Sequence, residues 1–281
     1  MKFSPTPPFR LLRRVIVSID DNGLRAAIAQ SWRRLTDSLA RNGLGGTLHR
    51  AFVKAPTAPA PIAESEAPLP PPHPFDLQHG TDTGGYIPGA NLASVSLSSL
   101  FSNIYFGIAP SALTQAISAL PIDHRDFTFV DIGCGKGRAL LVAAEFPFRQ
   151  LIGVEIAFEL CDIAHANIAR RPDLAPRISI LNQDAATIAY PDTPLVVFLY
   201  HPFLAPILRR VLANLQRQLR HAPRETYVLY ADNPYKKVVS RFPFLREISD
   251  IAYPLSPEDA AAQLTGSTEE RFTLYTSTLS R

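Results

Sequence analysis

From residue 127 onward the 281-residue chain alternates short apolar runs with helical stretches. Residues 127–132, 151–156, 178–181, 196–200 and 226–230 are strand-like, and 137–146, 158–170 and 204–219 read as helices between them. Strands that are apolar along their whole length and separated by helices belong to βαβ units, whose parallel sheet is buried on both faces. Two later runs, 245–252 and 272–278, have no long helix between them. They predict an antiparallel edge on an otherwise parallel sheet. The expected fold is therefore α/β and doubly wound.

The region before this core has a different character. Residues 1–54 hold ten Lys+Arg against three Asp, a balance of +7, whereas residues 55–281 balance to −4. Leu24, Ile28, Trp32, Leu35 and Leu39 form one helical stripe, with Arg25, Arg33, Arg34 and Arg41 largely off it. Residues 1–54 thus read as a basic helical arm. It suits docking on its own domain, an anionic membrane surface or nucleic acid. Eight prolines between Pro56 and Pro74 mark 55–75 as a Pro/Ala-rich linker, because proline fixes φ and lacks an N–H. Residues 76–281 remain for one domain, with 76–125 a segment leading into the core of 126–281.

Several classes are disfavoured. No apolar stretch is long enough to span a bilayer, and arginines interrupt the apolar start that a signal peptide would need. Cys134 and Cys161 form neither a disulfide framework nor a CxxC pair, and the histidines do not cluster with them at metal-ligand spacing. No metal is expected, and a reducing cytoplasm is the expected location.

The chemistry concentrates at successive strand ends. Asp131-Ile132-Gly133-Cys134-Gly135-Lys136-Gly137-Arg138 follows one strand and opens a helix. The dinucleotide fingerprint would place its third glycine where Arg138 stands, and Asp131 would repel a pyrophosphate. An aspartate there suits a ligand carrying an amine or a sulfonium. Glu155 ends the next strand, 22 residues beyond Gly133, where a carboxylate can accept from both ribose hydroxyls. Asp184 and Ala185 follow the third strand, where an acid can accept from an adenine amino group. Each acid alone reads equally as a cap or turn residue. The three in register point to a nucleoside ligand. Arg138, a cation in a helix first turn, opposes the macrodipole. It is either solvated, or pairs with an anion (Glu155, Asp184 or a residue of the N-terminal segment), or touches the ligand directly.

These motifs resemble the core of class I S-adenosylmethionine-dependent methyltransferases, over roughly residues 92–281. The resemblance implies a mostly parallel seven-stranded sheet with an antiparallel last strand. It implies S-adenosylmethionine as cofactor, with Asp131, Gly133, Cys134, Gly135, Gly137 and Arg138 around its methionine part, Glu155 at the ribose, and Asp184 with Ala185 at the adenine. Residues 76–125, and within them the segment from Tyr105 to Ser111, are similar to cofactor-covering segments, with Tyr105 laid against the methionine or the substrate. Asp82 and Thr83, in Asp82-Thr83-Gly84-Gly85-Tyr86, read as cover or as turn residues. The Gly135–Arg138 variant and the segment from Tyr105 to Pro110 also resemble a bacterial branch similar to seven-strand histone-lysine methyltransferases.

The fourth strand ends in Leu199-Tyr200-His201-Pro202-Phe203. Amino-methylating relatives carry an Asn/Asp-Pro-Pro-aromatic motif there, and His201 replaces the acid or amide. Tyr200 and His201 are the candidate catalytic residues, His201 as a general base or as a strand-end cap. Asn233-Pro234-Tyr235 reads as a turn. The acceptor is left open among a protein lysine, another nitrogen and other nucleophiles. A degenerate cofactor-binding module and a nicotinamide-dependent oxidoreductase are the competing readings.

Overall fold

The computed structural model describes residues 72–85, 107–200, 203–263 and 266–279. The basic arm with its helical stripe, nearly all of the linker, Tyr105 and His201 lie outside the described residues.

In chain order the elements are α1 (Pro74–His79), α2 (Pro110–Ser118), β1 (Thr128–Ile132), α3 (Arg138–Ala143), β2 (Gln150–Glu155), α4 (Phe158–Ala169) and β3 (Ile178–Asn182). Then come β4 (Leu195–Tyr200), α5 (Ala205–His221), β5 (Thr226–Ala231), α6 (Lys236–Val239), β6 (Leu245–Pro254), α7 (Pro257–Ala262) and β7 (Glu269–Ser277). The strands form one seven-stranded sheet in the order β3-β2-β1-β4-β5-β7-β6. The first five pair in parallel, and β7 runs antiparallel to both β5 and β6. The antiparallel strand is thus one place in from the edge, and β6 is the edge strand. A short connection through α7 lets β7 fold back between β5 and β6.

Apolar side chains cover both faces of the sheet. On one face α5 buries Ile207, Leu208, Val211, Leu212, Leu215 and Leu219 in the core that holds Val130 and Ile132. On the other, Leu113 and Ile117 of α2 join Phe129, Phe198 and Leu140. Each such aliphatic side chain contributes roughly 1.5–3 kcal/mol relative to exposure. Pro110 opens α2 at its first turn, where its missing N–H costs nothing. Among the described residues, no helix is long and apolar enough to cross a membrane.

Gly153, in the middle of β2, has no room for a side chain. A Cβ there would lie 2.6 Å from Leu140 Cδ1, 2.7 Å from Cys134 Sγ and 2.8 Å from Ile180 Cδ1. Gly153→Ala is therefore expected to cost about 1–3 kcal/mol by overpacking, read as a lower denaturant midpoint. Since Cys134 belongs to the glycine loop, the substitution pushes on that loop as well.

Candidate functional site

The strand order reverses direction between β1 and β4, and the carboxyl ends of the strands around this switch point carry the polar groups. The loop leaving β1 is strapped to β2: the N–H groups of Gly133 and Cys134 both donate to the Val154 carbonyl, at 2.8 and 3.0 Å. Gly137 caps α3 with φ 88°, a left-handed conformation that side chains disfavour. The Glu155 carboxylate holds the loop from the other side. Its Oε2 accepts from the Gly135 N–H at 3.0 Å, and its Oε1 accepts from Ile156 and Ala157 at 2.8 and 2.9 Å.

Asp131 and Glu155 are both buried, at 3% and 8% exposure. Burial, and then the charge of Glu155, push the Asp131 carboxyl up to about 8. Burial also raises Glu155, against the three backbone N–H groups that favour its charged form. The loop therefore carries two desolvated carboxyl groups at the strand ends, an environment that penalises an anionic ligand and suits a cationic one.

A stability signature follows. Between about pH 4 and 8 the folded chain keeps the Asp131 proton that the unfolded chain has shed. Stability therefore falls as pH rises through that window, by at most about 1.4 kcal/mol per pH unit for this group. Asp131→Asn is expected to flatten the fall of the thermal midpoint between pH 7 and 8. Below pH 7 part of the slope should persist, because Glu270, pushed up to about 7 mainly by burial, acts with the same sign.

The third acid behaves differently. Asp184 Oδ1 accepts from the Ala186 N–H at 2.9 Å, and its Oδ2 lies 3.6 Å from Arg210 Nη2. One of its oxygens thus serves its own turn, while Ala185 beside it is buried. Cys134 is buried, and burial raises its thiol well above the usual value.

Arg138 is partnered neither by Glu155 nor by Asp184. Its guanidinium, 4% exposed, donates from Nε to Thr83 Oγ1 at 2.7 Å and reaches Asp76 Oδ2 at 3.4 Å and the Ile108 carbonyl at 3.4 Å. Of the three anionic partners considered, the N-terminal segment supplies the one observed. Asp76 accepts in turn from the Thr81 hydroxyl and from the Thr83 N–H and hydroxyl. Burial works against the Asp76 charge, yet the Thr83 and Thr81 hydrogen bonds and Arg138 hold its carboxyl below the usual value. Gly107 packs close here: a Cβ would sit 2.6 Å from Arg138 Nη1, so a side chain would have to displace the guanidinium.

A second set of contacts joins the same segment to the loop. Lys136 Nζ donates to Asp82 Oδ1 at 2.7 Å and to the Gly84 carbonyl at 2.8 Å. Asn167 of α4 accepts from the Asp82 N–H and donates to the carbonyls of Asp82 and Lys136. Asp82 and Thr83 therefore grip the outside of the loop. Asp76, Asn167 and Lys136 escaped the sequence reading because their partners lie 31–85 residues away. The one signal was Arg138 itself, a helix-opening cation in need of an anion.

On the β4 side, Tyr200 ends its strand beside Ala231 of β5. Its hydroxyl, raised well above the usual value by burial, bonds to the Glu270 carboxylate. Glu270, 5% exposed, also accepts from the Ala109 N–H at 3.3 Å. No local pattern in the sequence marks Glu270, the second residue of β7. Asn233 Oδ1 accepts from the Tyr235 N–H at 2.9 Å, a side-chain-closed turn in keeping with the reading of 233–235. Among the described residues no group of three or more His, Cys, Asp or Glu is arranged to hold a metal ion.

Residues 129–222 match the family described as "Methyltransferase domain". The matched span begins in β1, takes in the glycine loop and all three strand-end acids, and ends just past α5. Residues 129–222 thus carry the signature of a methyltransferase domain, set within the seven-stranded α/β sheet described above. S-adenosylmethionine is the cofactor that this domain implies. A search of curated proteins finds no match. Solved structures similar to this methyltransferase domain include a SAM-dependent methyltransferase from Leishmania major, at 13% identity and TM-score 0.44, covering 59% of this chain and 70% of that one. TrmN from Thermus thermophilus is similar at 16% identity and TM-score 0.42, covering 60% and 48%. The [4+2]-cyclase SpnF is similar at 14% identity and TM-score 0.43, covering 59% and 80%.

Proposed function

We propose that this chain is an S-adenosylmethionine-dependent methyltransferase acting on a nitrogen nucleophile, with a protein lysine as the acceptor. The pair of buried carboxyl groups Asp131 and Glu155 around the glycine loop carries the cofactor assignment. Asp131, Gly133, Cys134, Gly135 and Gly137 would surround the methionine part, which brings an ammonium and a sulfonium to a site lined by acids. Glu155 retains capacity for a ribose hydroxyl beyond its three backbone donors. Asp184 and Ala185 would receive the adenine, and Tyr105 would cover the ligand. In this reading Arg138 shapes the loop rather than touching the ligand, given its contacts with Asp76 and Thr83.

The bound cofactor supplies an electrophilic methyl group on a sulfonium that is already a good leaving group. The chain's own residues then have to bind, orient, exclude water and accept a proton from an ammonium substrate. The nitrogen reading is supported by the polar groups at the β4 end. Burial pushes Glu270 up to about 7 beside Tyr200, and a cationic amine brought near it would favour its charged form. His201, the next residue in the chain after Tyr200, is the candidate base. Location in the cytoplasm and contact of the basic arm with an anionic surface or nucleic acid complete the proposal.

The test is a methyl-label transfer assay. The full chain is incubated with methyl-tritiated S-adenosylmethionine and either nuclease-treated bacterial lysate or total bacterial RNA. Label recovered as methyl-lysine after acid hydrolysis of the protein fraction is the expected result. Label confined to RNA or to small molecules would overturn the lysine assignment. No label in any fraction would favour a cofactor-binding module without turnover.

A further inference from the structure

The glycine loop carries two cations, Lys136 and Arg138, on either side of Gly137. A cation in this loop is a poor neighbour for a sulfonium. Both are engaged by carboxylates from the segment of residues 73–85. Lys136 Nζ, with its side chain only 7% exposed, lies 2.7 Å from Asp82, and Arg138 pairs with Asp76. The charges of the two acids and the two bases cancel, so that neither base opposes a cation held inside the loop.

The clasp that delivers Asp82 is built rather than incidental. Asn167 binds the Asp82 backbone through both its N–H and its carbonyl and binds the Lys136 carbonyl with the same amide. The Gly84 carbonyl takes a second Lys136 proton. Asp82 is thus held in register with Lys136 by one buried side chain that touches both. The carboxylate itself is two-thirds exposed, so it contributes little to stability. Its main consequence is the charge it adds.

We propose that Asp82 is a specificity-determining residue of the cofactor site. By neutralising Lys136 it keeps the loop selective for the sulfonium cofactor over the thioether that remains after methyl transfer. The proposal rests on the S-adenosylmethionine reading. The two ligands differ by one positive charge at sulfur, so the ratio of their affinities reports the local field, whereas a general loosening of the loop weakens both together. For one unit charge at roughly 10 Å and an effective dielectric of about 40, the change in that ratio is about fourfold.

The experiment is titration calorimetry of the full chain at low salt with S-adenosylmethionine and S-adenosylhomocysteine separately. Asp82→Asn keeps the size and hydrogen bonding of the side chain and removes its charge. It is expected to shift the affinity ratio toward S-adenosylhomocysteine by about threefold to tenfold. Lys136→Met alone should shift it the other way, and the double variant should return near the wild-type ratio. An unchanged ratio in both single variants, or a shift in Asp82→Asn that the double variant does not reverse, would overturn the proposal. Failure of the wild-type chain to bind either ligand would instead overturn the cofactor reading, and this proposal with it.

Discussion

Glu155→Ala is expected to weaken S-adenosylmethionine binding by about a hundredfold or more and to lower the stability of the domain at the same time. The two effects share one cause. The carboxylate accepts from Gly135, Ile156 and Ala157, and alanine leaves all three N–H groups without that acceptor. A buried donor left unsatisfied costs about 1–3 kcal/mol. The raised pKa of Glu155 offsets part of this, because ionising the buried group is itself unfavourable. A net loss of about 3 kcal/mol is expected, measured as a shift in the urea midpoint. A loss of 2.7 kcal/mol in binding corresponds to about a hundredfold in affinity. Glu155→Gln separates the two roles. Its amide oxygen can serve Gly135 or the Ile156–Ala157 pair, while its NH2 faces the other donors. It should therefore fall between wild type and alanine in stability. If Glu155→Ala binds the cofactor normally, the carboxylate does not hold the loop in its binding conformation.

The second large effect is expected at Asp76, which lies outside the region matched to the methyltransferase family. Asp76 and Arg138 are both 4% exposed on their side chains. Removing the acid strands a buried guanidinium, and breaking such a pair costs about 3–5 kcal/mol. In a domain of this size each kcal/mol is worth about 2–4 °C, so Asp76→Ala should lower the melting temperature by roughly 10 °C. The acid-free, base-free pair Asp76→Ala/Arg138→Met should be less destabilised than Asp76→Ala alone, because no buried charge remains uncompensated. The opposite order would mean that Asp76 acts through Thr81 and Thr83 and not through Arg138.

The sheet was legible from local pattern because its central parallel strands β1, β2, β4 and β5 are buried on both faces. Runs such as Val196–Leu199 in β4 have to be apolar throughout, whatever follows them. The return of β7 between β5 and β6 was less legible, since pairing order at an edge depends on how a strand folds back and not on its composition. Helix α2 hid inside a segment read as cofactor cover. Its Ala112, Leu113, Ala116 and Ile117 make a clear buried stripe, but only over nine residues.

The site divides in the same way. The turn at Gly133, Gly135 and Gly137 was readable because its left-handed backbone favours glycine. Asp184 matched the expected position yet spends one oxygen on its own turn, the chemistry that makes Asp common after strands. Asp76, Asn167 and Glu270 were unreadable. Each joins elements far apart in the chain, and nothing in its neighbours announces the partner.

The central claim is that a glycine loop lined by buried acids selects a cationic sulfur nucleotide. The most direct measurement is titration calorimetry of the wild-type full chain with S-adenosylmethionine and with NAD under the same conditions. Saturable binding of S-adenosylmethionine and none of NAD is the expected result, because a cation favours ionisation of the buried Asp131 and Glu155 carboxyl groups whereas a pyrophosphate opposes it. Binding of NAD in preference to S-adenosylmethionine would contradict it.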